Sequence, residues 1–146
     1  MKKIIVIEDN EKHLKDAQDF FATKCDEVVA SFYKDFKSVM DTLKDGEIDG
    51  VISDIYFPHS KDYPEVQPIG VVVMMLCRER NIPCKLNTAG FHHGSKYQWI
   101  HELTQKFKFP MMLDMGDQNF YTLGGEGEAQ AKNWEYAYSF LVKSMK

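Results

Sequence analysis

The chain has 146 residues, of which 44% are hydrophobic and 27% charged, and its net charge is -4 at pH 7. This size and composition predict one soluble globular domain, residues 1–146, and exclude a collagen, a coiled-coil rod and a disordered chain. No segment is dense in lysine and arginine, and the longest apolar run, residues 71–77, is much too short to cross a bilayer. We therefore expect a cytoplasmic protein that contacts neither nucleic acid nor a membrane directly.

Acidic residues are concentrated in the first half of the sequence. Residues 1–73 contain 15 acids and 9 bases, whereas residues 74–146 contain 7 acids and 9 bases. Such an asymmetry is typical of a solvated face, but it also allows a site that collects carboxylates.

The spacing of apolar residues predicts five strands, each followed by a helix. The strands are runs of β-branched and other apolar residues, which suit burial on both faces of a sheet. They are expected at residues 3–7, 27–32, 50–55, 84–88 and 109–113.

The helices are predicted from apolar residues that recur three and four positions apart. Asn10 is expected to cap the first helix and Asp35 the second, which Gly46 closes. The other three helices are marked by residues 70–80, 97–107 and 131–145.

Residues 59–69 contain two prolines and little periodicity, so they are predicted to form a loop between the third strand and the third helix. Such a loop is either a docking element, a lid over a site or a tolerated surface insertion.

Strands that alternate with helices predict an α/β fold, in which helices cover both faces of a parallel sheet. Ligands of such sheets bind beyond the carboxyl ends of the strands. Glu8 and Asp9 follow the first strand, Asp54 lies at the end of the third, and Thr88 ends the fourth. The sequence therefore places three carboxylates and a hydroxyl at one edge of the sheet.

Three acids at one place need a cation. Two like charges about 4 Å apart repel by about 4 kcal/mol at an effective dielectric constant near 20. Hard oxygen ligands favour Mg²⁺, and a carboxylate beside that ion can act as a nucleophile toward a phosphoryl group. Thr88 could then donate a hydrogen bond to a phosphoryl oxygen.

The strand ends lie in three short stretches, KIIVIEDN at 3–10, VISDIYFP at 51–58 and NTAG at 87–90. Together these stretches resemble the receiver domain of two-component response regulators, and the resemblance covers residues 2–108. It implies a flavodoxin-like (βα)5 three-layer sandwich whose five parallel strands have the order 2-1-3-4-5.

The resemblance also implies a role for each candidate residue. Asp54 would accept a phosphoryl group, Glu8 and Asp9 would hold Mg²⁺, and the backbone carbonyl of Tyr56 would complete the metal site. Thr88 would move toward the phosphoryl group and so bias a signalling surface. The implied chemistry is Mg²⁺-dependent self-phosphorylation and dephosphorylation, and the protein is otherwise not expected to be an enzyme.

A stand-alone receiver needs partners for input and output. The resemblance implies that a histidine kinase or a phosphotransfer protein donates the phosphoryl group and that a separate effector protein receives the signal. A homodimer is also compatible with the resemblance.

One departure from the receiver pattern is a missing lysine. Receivers carry a Lys-Pro pair just after the fifth strand, but residues 109–118 contain no lysine, and Lys108 lies at the wrong end of that strand. Asp114 occupies the region instead, which predicts a fourth acid in the pocket. His92 and His93 could replace the lost positive charge, although exposed loop histidines are the simpler interpretation.

A second departure is the aromatic switch residue of the fifth strand, which is replaced by Met111 and Met112. The two departures favour an alternative function, a pseudo-receiver that binds proteins without being phosphorylated. Retention of the acids and Thr88 favours the phosphoacceptor. A small hydrolase or flavin protein on the same fold is disfavoured, because the sequence has no nucleophile elbow and no phosphate-cradling glycine loop after the first strand.

The three cysteines are irregularly spaced, which is typical of reduced intracellular thiols. Because no CxxC pair occurs, small buried thiols are favoured over a zinc site. The ligands of such a zinc site would be Cys77, Cys84, His92 and His93.

Overall fold

The computed structural model describes residues 1–90, 93–109, 112–115, 117 and 130–145. None of the helices in these ranges is long and apolar enough to cross a membrane. The strands are β1 (Lys2–Ile7), β2 (Val28–Tyr33), β3 (Gly50–Ser53), β4 (Phe57–Ser60), β5 (Tyr63–Gln67), β6 (Cys84–Asn87) and β7 (Met112–Leu113). The helices are α1 (Glu11–Ala22), α2 (Phe36–Asp45), α3 (Gly70–Glu79), α4 (Gln98–Lys106) and α5 (Trp134–Ser144).

Five of the strands form one parallel sheet in the order β2-β1-β3-β6-β7. The predicted α/β class and the five-stranded parallel sheet are confirmed. The order differs in numbering from the predicted 2-1-3-4-5, because β4 and β5 lie between β3 and β6 along the chain and form a separate antiparallel pair.

Helices cover both faces of the sheet, because side chains of β1 alternate between two hydrophobic cores. Ile5 and Ile7 pack in the core shared with α2, α3 and α4, while Ile4 and Val6 pack in the core shared with α1 and α5. All four side chains are buried, and such burial contributes about 2 kcal/mol for each. The two cores thus hold the carboxyl ends of the central strands in fixed positions.

The helix caps predicted from the sequence are confirmed. Asn10 accepts a hydrogen bond from the backbone N–H of His13 at 3.0 Å, and Asp35 accepts one from Ser38 at 2.8 Å. Each bond satisfies one of the amide groups that the first turn of a helix leaves unpaired. Gly46 ends α2, as expected.

The prediction of a loop at residues 59–69 is wrong, because most of this segment forms a β-hairpin. β4 and β5 pair across a two-residue turn in which Ser60 lies opposite Tyr63. Phe57 anchors the hairpin, since its side chain is fully buried in the core. Every residue of β5 is exposed, so the segment lacks the apolar alternation by which a half-buried strand is recognised.

The last helix begins three residues later than predicted. Asn133 caps it by accepting a hydrogen bond from the backbone N–H of Tyr136 at 3.0 Å, and Trp134 is the first helical residue. Lys132 therefore lies in the segment ahead of the helix. Of the predicted fifth strand, Met112 and Leu113 form β7, Phe109 is not part of a strand, and residues 110–111 lie outside the described ranges.

Candidate functional site

The candidate site lies at the carboxyl edge of the parallel sheet. The backbone N–H groups just past three strands continue the hydrogen bonding of the sheet. Glu8 donates to a carbonyl of β2 at 2.9 Å, Asp54 to one of β1 at 2.8 Å, and Thr88 to one of β7 at 2.9 Å. The sheet itself therefore fixes the backbone of all three residues.

Glu8, Asp9 and Asp54 form an acid cluster, in which one oxygen of each carboxyl lies within 4.8 Å of the others. Glu8 is fully buried, and the Asp54 side chain is 16% exposed. Two backbone amides contribute hydrogen bonds, from Asn10 to Glu8 Oε2 at 3.2 Å and from Ile55 to Asp54 Oδ1 at 2.8 Å. The structure thus brings together the acids that the sequence places on two separate strands.

A lysine that the sequence analysis missed lies inside the acid cluster. Lys132 is buried, and its Nζ donates hydrogen bonds to Glu8 Oε1 and, at 2.9 Å, to the carbonyl oxygen of Asn87. The same Nζ lies 3.4 Å from Asp54 Oδ1. The expectation that this pocket lacks a base is therefore wrong, because the segment before α5 supplies one.

The fourth acid that was expected in the pocket is not a member of the acid cluster. Asp114 is buried just past β7, where its Oδ1 accepts a hydrogen bond from Asp117 N at 3.0 Å. Asp117 Oδ2 in turn accepts one from Asp114 N at 3.1 Å. These reciprocal bonds stabilise a turn, and the acid cluster found among the described residues consists of Glu8, Asp9 and Asp54.

Burial and mutual repulsion raise the pKa values of two acids. Burial, partly offset by Lys132 and reinforced by Glu8, raises the pKa of Asp54 to about 7. Burial and the neighbouring Asp54 raise the pKa of Asp9 to about 6. For Lys132, burial opposes the ammonium charge, but Asp54 and Glu8 outweigh it and raise the pKa. One cation therefore faces more negative charge than it can balance near neutral pH.

The acid cluster opens into a cleft of about 200 Å³. This volume holds roughly six waters at about 30 Å³ each, which is enough for a small anion and its hydration. Its lining includes Asp9, His13, Asp54, Tyr56, Thr88 and Lys132. Three of the four residues predicted at strand ends, Asp9, Asp54 and Thr88, thus border one space, while the fourth, Glu8, is fully buried and does not line it.

Two tyrosines and a lysine form the mouth of this cleft. Tyr56 and Tyr97 pack edge to face with ring centroids 5.6 Å apart, and Lys96 Nζ lies 4.2 Å from the Tyr56 centroid. The Tyr56 hydroxyl donates to the Lys96 carbonyl at 2.8 Å. Below them, Thr88 Oγ1 accepts a hydrogen bond from Gly90 N at 3.1 Å. Thr88 thus lines the same cleft as Asp9, Asp54 and the two tyrosines.

The remaining predicted residues fall outside the cleft or outside the described ranges. Cys77 and Cys84 are buried together in the hydrophobic core, where hydrogen bonding to Cys77 and burial raise the pKa of Cys84 well above its ordinary value. His93 is exposed. Met112 is buried in the same core as the cysteines, while His92 and Met111 lie outside the described residues.

One sequence signal could have pointed to Lys132. Asparagine is among the residues favoured at helix N-caps, so Asn133 indicates that the last helix starts at Trp134. Lys132 would then precede the helix, and its side chain would not belong to the solvated helix face. Lys132 and Glu8 are 124 residues apart along the chain, so no local sequence pattern predicts that they pair.

Comparison with known proteins assigns no family. No protein-family model matches the sequence, and a search of curated proteins finds no significant match.

Proposed function

We propose that the chain is a flavodoxin-like receiver that accepts a phosphoryl group on Asp54. The observation that carries the proposal is the position of Lys132 Nζ, 3.4 Å from Asp54 Oδ1, in an acid cluster with Glu8 and Asp9. A carboxylate flanked by a cation and by further acids, in a cleft open to solvent, is suited to take up a phosphoryl group.

The proposed reaction is a displacement at phosphorus. A carboxylate oxygen of Asp54 attacks the phosphorus of a phosphohistidine or of a small acyl phosphate, and a new P–O bond forms. The bond from phosphorus to the donor breaks, and its electron pair leaves with the donor, which takes up a proton from solvent if it is an imidazole. The ammonium of Lys132 stabilises the charge on the transferred oxygens.

The acid cluster also fits a divalent cation. Three carboxyl oxygens within 4.8 Å are the hard ligands that Mg²⁺ prefers. Burial raises the pKa values of Asp9 and Asp54, and in each case a neighbouring carboxylate raises the pKa further. Glu8, Asp9 and Asp54 would hold the ion, with the Tyr56 carbonyl as the further ligand that the receiver resemblance implies. When bound, Mg²⁺ would neutralise this charge and lower the repulsion between the carboxylate and the incoming phosphoryl group.

Lys132 takes the place of the lysine that receivers carry after their fifth strand. The resemblance places that lysine in the loop after β7, where this chain has Asp114. Here the ammonium enters from the segment before α5, which packs against the same edge of the sheet. One of the two arguments for a phosphorylation-independent pseudo-receiver is thereby removed.

Thr88 and Tyr97 supply a path from the proposed phosphorylation site to the surface. The Thr88 hydroxyl would leave Gly90 N and donate to a phosphoryl oxygen, which removes one hydrogen bond from the backbone beneath Tyr97. Tyr97 precedes α4, so its movement would change the exposed surface next to that helix. We propose that a separate effector protein reads this surface, and that a histidine kinase or phosphotransfer protein is the donor.

Intact mass spectrometry tests the proposal directly. The protein is incubated with Mg²⁺ and acetyl phosphate, and we expect the mass to increase by one phosphoryl group. Asp54→Asn should abolish the increase, whereas Asp62→Asn, in the exposed turn of the hairpin, should leave it unchanged.

Beryllofluoride provides a second arm, because it mimics a phosphoryl group without a covalent step. We expect it to raise the melting temperature of the wild-type protein and of Asp62→Asn, but not of Asp54→Asn. Absence of both responses in the wild-type protein would refute the phosphoacceptor and support the pseudo-receiver.

A further inference from the structure

One buried side chain of the cleft has no role in the reaction proposed above. His13 lies on the first turn of α1, is 6% exposed and borders the same cleft as Asp54 and Lys132. Its Nδ1 is buried with no hydrogen-bond partner among the residues that the structure describes. A buried polar atom without a partner costs about 1 to 3 kcal/mol, so fold stability does not explain a histidine at this position.

The surroundings of His13 keep its imidazole neutral. Burial, and then the positive charge of Lys132, lower its pKa to about 4. A neutral imidazole has one N–H donor and one nitrogen that can accept a hydrogen bond or a proton. An apolar side chain of the same size would fill this position without the cost of an unpaired nitrogen.

We propose that His13 holds the water molecule that hydrolyses the phosphoryl group on Asp54. The inference rests on the proposed function and adds how the phosphorylated state ends. A receiver signal lasts only as long as its acyl phosphate, so a residue that positions water sets the duration of the signal.

The hydrolysis step balances with groups that the cleft contains. The water oxygen attacks phosphorus, and the P–O bond to the Asp54 carboxyl breaks. Its electron pair returns to Asp54, which regenerates the carboxylate, and inorganic phosphate leaves. The imidazole of His13 accepts a proton from the attacking water. Because Lys132 disfavours a second positive charge nearby, the imidazolium passes that proton on to solvent or phosphate.

The test measures the decay of the phosphorylated protein separately from its formation. Wild type, His13→Met and His13→Gln are phosphorylated with acetyl phosphate and Mg²⁺, the donor is removed, and decay is followed by intact mass. We expect decay to be at least about tenfold slower in His13→Met, as is usual when a proton acceptor is lost. His13→Gln, which can still hold water, should decay at an intermediate rate. The rate of formation is measured in the same variants, so that a change in decay is separated from a change in phosphorylation.

A matched variant and a solvent isotope effect separate this role from general damage. His59→Met removes an exposed histidine of the hairpin outside the cleft and should decay like wild type. Decay in D₂O should be slowed more for the wild-type protein than for His13→Met. The melting temperature of His13→Met should be no lower than that of wild type, because the variant buries no unpaired nitrogen.

The possible outcomes separate the role of His13 from the phosphoacceptor function of Asp54. A phosphorylated His13→Met that decays at the wild-type rate, with the same isotope effect, would overturn the role of His13 and leave the phosphoacceptor intact. A wild-type protein that takes up no phosphoryl group would overturn the proposed function, and the role of His13 with it. If His13→Met does not fold, the decay rate and isotope effect of His13→Gln decide in the same way.

Discussion

Replacing Lys132 with methionine removes the only cation of the acid cluster that the described residues provide, while it keeps a side chain of similar length. The Nζ lies 3.4 Å from Asp54 Oδ1, and at an effective dielectric constant near 20 their attraction is about 5 kcal/mol. The hydrogen-bonded contact with Glu8 is closer. The net loss is smaller than the sum of the two attractions, because the variant no longer buries an ammonium. Loss of one partner from a buried ion pair costs about 3 to 5 kcal/mol.

The loss depends on pH, because a carboxyl of the acid cluster can take up a proton in place of the ion pair. Protonation of a carboxylate whose ordinary pKa is about 4 costs roughly 4 to 5 kcal/mol at pH 7.5 and roughly 1 kcal/mol at pH 5. If a carboxyl group is protonated in the folded state but ionised in the unfolded state, the free energy of unfolding falls as the pH rises above the ordinary pKa of that group. We therefore expect Lys132→Met to lose about 4 kcal/mol at pH 7.5 and about 1 kcal/mol at pH 5.

Urea unfolding followed by circular dichroism at the two pH values measures this loss. Lys143→Met, an exposed position on α5, should change the free energy of unfolding by less than about 0.5 kcal/mol. The double variant Glu8→Gln/Lys132→Met should recover most of the loss, because it removes the stranded charge. An equal loss at both pH values, or no recovery in the double variant, would show that Lys132 does not balance Glu8.

Three further predictions concern the acid cluster and the mouth of the cleft. Because burial and Asp54 raise the pKa of Asp9, Asp9→Asn should stabilise the metal-free protein by about 1 kcal/mol at pH 7.5 and by nothing below pH 4 in thermal unfolding. A loss of stability would contradict the repulsion. Mg²⁺ at ten times its Kd should stabilise the wild-type protein by about 1.4 kcal/mol in the same assay, and Asp9→Asn should reduce this gain. Gly90→Ala would place its Cβ 2.0 Å from Tyr97 Cε2, so urea unfolding should show a loss of about 1 to 3 kcal/mol that disappears in a Tyr97→Ala background.

The sequence by itself determined the parts of the protein that depend on local pattern. Mostly apolar runs of five or six residues predicted the strands of the parallel sheet, because a strand covered on both faces is rich in apolar side chains. The sequence also predicted the Asn10 and Asp35 caps, because a cap forms its hydrogen bond with a residue only two or three positions away. Placement of Glu8, Asp9 and Asp54 at one edge followed from the parallel topology.

Only the tertiary structure decided how the charge of the site is arranged. Lys132 joins Glu8 across 124 residues, and Asp114 turns to Asp117 instead of entering the acid cluster. Neither contact leaves a periodic signal, because each depends on where a segment outside the regular elements packs against the sheet. The hairpin was not predicted, because β5 is exposed throughout and Phe57 is its hydrophobic residue in the core. Local sequence determines which residues reach the carboxyl edge, and long-range packing decides which of them face one another there.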